Sequence, residues 1–271
     1  MKINFKHDLL YKYLLSFDLF RNKEEGRGYL ADAYWRFIKT IELIPNSVAK
    51  GEMLELGANP YFLTLILKKY YKLKPRLSNY FGENFKGKSG EQIITSNKYG
   101  EVHKFKFKHF NIEKDPFPYE NNSFDFVINC EILEHLTIDP VKSFQEIHRI
   151  LKKGGRLLIT TPNVNRRENW FKLIRGENIY DPYSGYGAYG RHNREYTINE
   201  LRDILFVNGF KIEKAGSFFK KPISNQPKER ALRFAVKRIL KNKDQGDHLY
   251  VLAVKKCNKK PTRPSYLYRS L

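Results

Sequence analysis

The chain is 271 residues long, 41% hydrophobic and 15% aromatic, enough to fill one sizeable core and too apolar for disorder throughout. No apolar run nears the roughly 20 residues that span a bilayer, and residues 1–20 scatter Lys6, His7, Asp8, Lys12 and Asp18 among apolar positions, unlike a secretory leader. With 50 Lys and Arg against 29 Asp and Glu the net charge is +21, which argues against cationic partners and for polyanions: RNA, anionic lipid or phosphorylated substrates.

Leu9, Leu10, Tyr13, Leu14 and Phe17 recur at helical spacing, as do Leu30, Tyr34, Phe37, Ile41 and Ile44. The glycines Gly26 and Gly28 predict a break between these two helices, and Pro45-Asn46 a break after the second. A short strand over 53–56 ends in Gly57 and precedes a helix over 63–71. Residues 102–110 alternate Phe105 and Phe107 with Lys104, Lys106 and Lys108, a strand pattern, and 124–130 form a nearly continuous apolar strand. Asp139 and Pro140 then read as N-cap and first position of a helix whose apolar face is Val141, Phe144, Ile147, Ile150 and Leu151, with Gly154-Gly155 as its stop. A strand over 156–161 is closed by Pro162. Thr197-Ile198-Asn199-Glu200 is a capping box opening a helix that ends at Gly209, and 211–219 and 249–254 are the last two strands. Strands alternating with helices predict an α/β fold on a mostly parallel sheet. Charge concentrates at the end: from Lys211 onward 17 Lys and Arg face 4 Asp and Glu, a net of +13. Solvated lysines spread over the surface account for such a count equally well. Only Cys130 and Cys257 are present, no disulfide framework, so a reducing cytoplasm is expected.

Ligands of open α/β sheets bind beyond the carboxyl ends of the strands. The first such end carries Glu55 and Gly57, a carboxylate for a cationic amine beside a backbone that a ligand can approach closely. After 102–110 come Asn111 and Ile112, an amide for a purine edge beside an apolar face. After 124–130 come Asn129, Glu131, Glu134 and His135.

The segments Leu54-Glu55-Leu56-Gly57-Ala58-Asn59-Pro60, Asp125 through Leu136 (DFVINCEILEHL) and Leu151 through Asn163 (LKKGGRLLITTPN) resemble the motifs of class I S-adenosylmethionine-dependent methyltransferases. The resemblance implies a Rossmann-like, seven-stranded, mostly parallel sheet with an N-terminal helical extension. It divides the chain into a helical cap (1–46), a methyltransferase domain (47–257) with an acceptor-side lid loop (158–196) and a basic helical insert (226–243), and a basic tail (258–271). It implies that S-adenosylmethionine is the cofactor, with Glu55 and Gly57 on its methionine part, Asn111 and Ile112 on adenine, and Asn129 and Glu131 beside the transferable methyl. Two positions depart from the family pattern. Asn59 and Tyr61 stand where glycines are usual, leaving Pro60 to shape the turn, and Asn79 stands where a carboxylate usually accepts from the ribose, unless Glu83 reaches back. Replacing Gly57 by Arg is expected to abolish cofactor binding and spare the fold.

An alcohol acceptor needs a base. His135, and His192 in the aromatic, basic stretch between Pro162 and Tyr196, are the candidates. Glu131, Glu134, His135 and His192 also resemble the metal set of small-RNA terminal-ribose 2′-O-methyltransferases and some quinone-precursor O-methyltransferases, suiting magnesium, manganese or zinc. The stretch Arg191 to Thr197 and the basic segment near the C-terminus resemble methyltransferases of bacterial polysaccharide biosynthesis. The expected reaction is therefore O-methylation of a sugar hydroxyl on a glycan or a nucleotide- or lipid-linked sugar, an anionic acceptor. Lys228 to Lys243 would form a basic amphipathic helix lying on an anionic membrane. Two other readings remain open: methylation of RNA ribose or base, and a non-catalytic protein that binds nucleotide or membrane.

Overall fold

The computed structural model describes residues 6–20, 22–71, 73–85, 87–220, 244–256 and 262–269. The expected basic helix at 228–243 lies outside these residues, as does the whole of the insert 226–243.

Two helices open the chain, α1 (His7–Leu14) and α2 (Lys23–Leu43). The expected break at Gly26 and Gly28 is absent: α2 runs through both, capped by the side chain of Asn22, and the chain turns earlier, at residues 15–20. Glycine in a helix costs about 1 kcal/mol relative to alanine, but here the buried stripe Leu30, Tyr34, Phe37 and Ile41 outweighs it. Gly26 also has a packing role, since a Cβ there would lie 2.9 Å from the ring of Phe20.

The α/β part follows as β1 (Met53–Leu56), α3 (Phe62–Tyr71), β2 (Arg76–Asn79), β3 (Ser89–Ser96), β4 (Glu101–His109), β5 (Phe124–Cys130), α4 (Val141–Ile150), β6 (Leu151–Pro162), α5 (Arg167–Ile174), α6 (Ile198–Val207), β7 (Phe210–Phe218) and β8 (His248–Lys255). The eight strands form one sheet in the order β3-β4-β2-β1-β5-β6-β8-β7. β4, β2, β1, β5 and β6 run parallel, and β3, β8 and β7 add antiparallel edges. The strand beyond the expected seven is β3, which pairs with β4 across the turn at 97–100. Its sequence SGEQIITS lacks the apolar alternation that marks a strand, because its exposed edge buries little.

The helix over 141–150 is shorter than expected. Asp139 Oδ1 does accept from the Val141 N–H at 2.8 Å, but the helix ends at Ile150 and β6 begins at once. Gly154 and Gly155 do not stop the helix; they lie in β6, where its register against β5 jumps between Phe124 and Phe126. Gly154 holds φ 76°, and a Cβ on Gly155 would press within 3.1 Å of the Phe124 carbonyl.

Alternating strand residues build two cores. On one face Met53, Phe126, Ile128 and Leu158 pack with α1, α2 and α3. On the other Leu54, Leu56, Val127, Leu157 and Ile159 pack with α4 and α6. The N-terminal helices thus share a core with the sheet, and α2 lies against the carboxyl ends of the strands, where Arg36 meets Glu131.

Candidate active site

The turn after β1 is held by β2. Gly57 takes φ 62°, Ala58 N–H donates to the Ser78 carbonyl (3.1 Å) and Asn59 N–H to the Asn79 side-chain oxygen (2.8 Å). Asn79 Nδ2 donates to Tyr61 Oη at 2.8 Å, and that hydroxyl also meets Gln92 of β3. The Asn59–Pro60 bond is cis, and the Tyr61 ring is buried against Phe105, centroids 4.8 Å apart. Asn79 therefore braces the turn, and its oxygen already accepts a hydrogen bond in the position where a ribose contact is expected. Glu83 stays outside, accepting from Tyr80 Oη at 2.8 Å.

A cavity of about 340 Å³ crosses the carboxyl ends of β1, β2, β4 and β5. Gly57, Asn59, Asn79, Asn111, Ile112, Glu131 and His135 all line it, and Tyr189 closes it by accepting from Asn111 Nδ2 at 2.9 Å. A recess of about 60 Å³ shares Gly57, Asn59 and Glu131 with this cavity and adds Glu55, Tyr29 and Arg36. Asn129 lines neither: it is fully buried, and neither of its amide atoms has a hydrogen-bond partner among the described residues.

Burial sorts the carboxylates. Glu55, with one bond from Thr64 Oγ1 (2.7 Å), is pushed up to about 8 by desolvation. Glu134 is pushed up to about 8 by desolvation and by the charge of Glu131. Glu131 is only partly exposed, but His248 (3.1 Å), Arg36 (3.8 Å) and the Thr160 hydroxyl (2.8 Å) overcome its desolvation and hold it ionised. Glu113 is desolvated too, yet three successive backbone N–H groups, of Thr137, Ile138 and Asp139, bring it below the usual range.

The two candidate histidines meet. Their ring centroids lie 5.1 Å apart at 76°. His135 Nδ1 is 3.0 Å from the Arg191 carbonyl, which can only accept, so Nδ1 carries the proton and Nε2 keeps its lone pair. Burial and neighbouring His192 hold His135 below the ordinary imidazole value. His192 is also desolvated, but Glu195 (3.3 Å from Nδ1), Glu134 and Asp181 outweigh burial and raise it. Glu195 in turn pairs with Arg166. The loop bearing His192 is stitched to the end of β5: Asn193 and Arg194 N–H both donate to the Glu134 carbonyl, and Asn193 Nδ2 to that of His135. A second cavity, about 570 Å³, is lined by His192, Glu195, Asp181, Thr137 and Tyr268, and it meets the first at Leu136.

Of the expected metal set, Glu134, His135 and His192 bring ligand atoms within 4.8 Å of one another, and the Glu134 Oε1 is buried without a hydrogen-bond partner among the described residues. Glu131 points elsewhere, to Arg36, His248 and Thr160.

Arg36, Glu113, Tyr189 and Glu195 also shape the site, and the sequence assigns none of them a role in it. Glu113 directly follows Asn111-Ile112, but its partners lie 24 to 26 residues on, and no local pattern marks them.

The sheet order and its flanking helices make a Rossmann-like α/β fold. Residues 67–159 match the family model described as Methyltransferase domain. Over 106 residues the chain is 29% identical to a Mycolicibacterium smegmatis protein described as "Probable S-adenosylmethionine-dependent methyltransferase", a stretch covering 39% of this chain and 35% of that protein. The chain thus spans about a third of that relative's length. In fold it is similar to an S-adenosylmethionine-dependent methyltransferase from Archaeoglobus fulgidus (TM-score 0.55, 14% identity, 84% of this chain and 99% of that one). It is similar in the same way to one from Thermotoga maritima (TM-score 0.52, 17% identity, 91% and 100%).

Proposed function

We propose that the protein transfers a methyl group from S-adenosylmethionine to a hydroxyl of a sugar, on a glycan or on a nucleotide- or lipid-linked intermediate. The observation that carries this reading is the histidine pair standing between two cavities, with His135 lining the smaller and His192 the larger. The residues at the first cavity fit the cofactor. Asn111 and Ile112 suit adenine, the charged recess suits an amino-acid head, and a Cβ on Gly57 would close the gap to Ile132 Cδ1 to 2.6 Å. When bound, S-adenosylmethionine supplies an electrophilic methyl.

The chain's own residues then orient the acceptor and move its proton. Glu195 holds His192 Nδ1, leaving Nε2 to accept the hydroxyl proton, the arrangement by which a carboxylate fixes an imidazole's tautomer. Glu134, His135 and His192 are alternatively the ligands of a divalent ion: the donor set suits zinc or manganese, and an ion there would acidify the same hydroxyl. The loop between β6 and α6 presents Tyr180, Tyr183 and Tyr186, all largely exposed, as flat faces for a sugar ring. In this reading residues 158–196 form the acceptor-side lid, 1–46 the cap, and a basic surface keeps the enzyme at the cytoplasmic face of a membrane carrying a lipid-linked acceptor. No helix among the described residues is long and apolar enough to cross one.

A second reading is RNA methylation, favoured by the net charge of +21 and by the same exposed tyrosines, which can stack on bases. Incubation with methyl-labelled cofactor separates the two. Alkali-stable label in nucleotide sugars or lipid-linked glycan supports the proposal, and label confined to RNA replaces it. Activity lost to a chelator and restored by manganese assigns the metal route.

A further inference from the structure

We infer that Arg36, from the N-terminal helix α2, is the residue that receives the carboxylate of the cofactor's amino-acid end, so that this helix forms one wall of the cofactor site. The inference rests on the cofactor reading above. In a chain of 50 Lys and Arg, Arg36 is the only one among the described residues lining either the 340 Å³ cavity or its recess. Its guanidinium offers five N–H donors. Among the described residues these make one long hydrogen bond, to Tyr29 Oη at 3.4 Å, and one ion pair, to Glu131 at 3.8 Å. The side chain is 12% exposed, so a planar cation is held almost out of water with most of its donors uncommitted.

Glu55 and Glu131 line the same recess. An amino-acid head bears a carboxylate and an ammonium on one carbon, and the recess offers one cation and two carboxyl groups around a space of about 60 Å³. Burying a carboxylate without a cation is costly, and an Arg–carboxylate pair can be bidentate. The 3.8 Å separation from Glu131 leaves Arg36 free to turn to the ligand.

Three ligands test the assignment by calorimetry: S-adenosylhomocysteine, 5′-methylthioadenosine, which lacks the amino-acid end, and S-adenosyl-3-thiopropylamine, which lacks only the carboxylate. Arg36→Gln should weaken S-adenosylhomocysteine by about tenfold to a hundredfold and leave methylthioadenosine within about twofold. The wild-type protein should lose a similar factor for the thiopropylamine, and Arg36→Gln should not distinguish it from S-adenosylhomocysteine. Unchanged S-adenosylhomocysteine affinity in the variant overturns the assignment. So does equal loss of methylthioadenosine, which makes Arg36 a support of the fold. Wild-type protein that binds none of the three overturns the cofactor reading itself.

Discussion

Two of the buried carboxylates at the strand ends, Glu55 and Glu134, hold protons at a pH where an ordinary carboxyl has lost them. For Glu55 the consequence for stability has a definite sign. Its folded value, about 8, lies above its ordinary 4.5, so the folded chain binds the proton more tightly. The stabilisation is complete below about 4.5 and is lost as pH rises towards 8. The melting temperature of the cofactor-free protein should therefore fall between pH 5 and 8. Glu55→Gln, which mimics the protonated side chain and keeps an acceptor for Thr64, should flatten that fall; an unchanged slope would remove Glu55 from the account. His192 gives the second prediction. If it takes the acceptor's proton, His192→Ala should lower kcat about a hundredfold with cofactor affinity unchanged. Its raised value means that kcat/KM climbs with pH to a midpoint above the ordinary 6.5. Glu195→Gln takes away the carboxylate that favours the imidazolium and should move the midpoint down. A midpoint that does not move assigns the proton transfer to another group.

At the scale of elements, Gly57 corrects the expectation that its replacement by Arg would spare the fold. With φ at 62° and Ile132 Cδ1 in the way, even alanine strains this turn. Gly57→Ala should cost about 1–2 kcal/mol of stability and weaken S-adenosylhomocysteine by pushing Ile132 into the cavity. Stability within 0.5 kcal/mol of wild type, by denaturant titration, would show that the turn adapts (about the scatter of ordinary surface substitutions). The strand ends were readable because each carries its signal locally: Gly57 closes a short apolar run, and Asn111-Ile112 and Glu131 directly follow strands with clear patterns. The capping box at Thr197 was equally plain and is present in full. Where a contact joins distant segments, no local pattern announces it. Arg36 meets Glu131 from a helix far away in the sequence, and Glu195 binds Arg166 across 29 residues. Strand β3 escaped notice for the opposite reason, since an edge strand with one buried face end needs little apolar patterning. Gly26 misled because a tertiary stripe outweighs a local propensity.

The molecule as a whole carries a net charge of +21, and one of the described C-terminal cations is engaged: Arg263 binds Asp139 at 2.6 Å, a carboxylate that also accepts from the Tyr268 hydroxyl at 2.7 Å. The remaining field should hold the protein on vesicles containing anionic lipid at low salt and release it at high salt, as sedimentation would report, with each basic residue near the surface worth about 1 kcal/mol. Indifference to such vesicles, with salt-sensitive retention of RNA, would favour the RNA reading. The stitching of the His192 loop carries a different consequence. The chain leaves the sheet at Asn163 and returns at Tyr196, where Val164 N–H meets the Tyr196 carbonyl, and Asn193 is pinned to the end of β5. What lies between is a detour with a closed neck. In the proposed reaction its length and composition could drift, and with them the acceptor it admits, while His192, the proposed proton acceptor, stays tied to the turn after the strand that ends before Glu131. If the proposed reaction is the protein's own, donor alignment and acceptor choice are separable properties, inherited through different stretches of the chain.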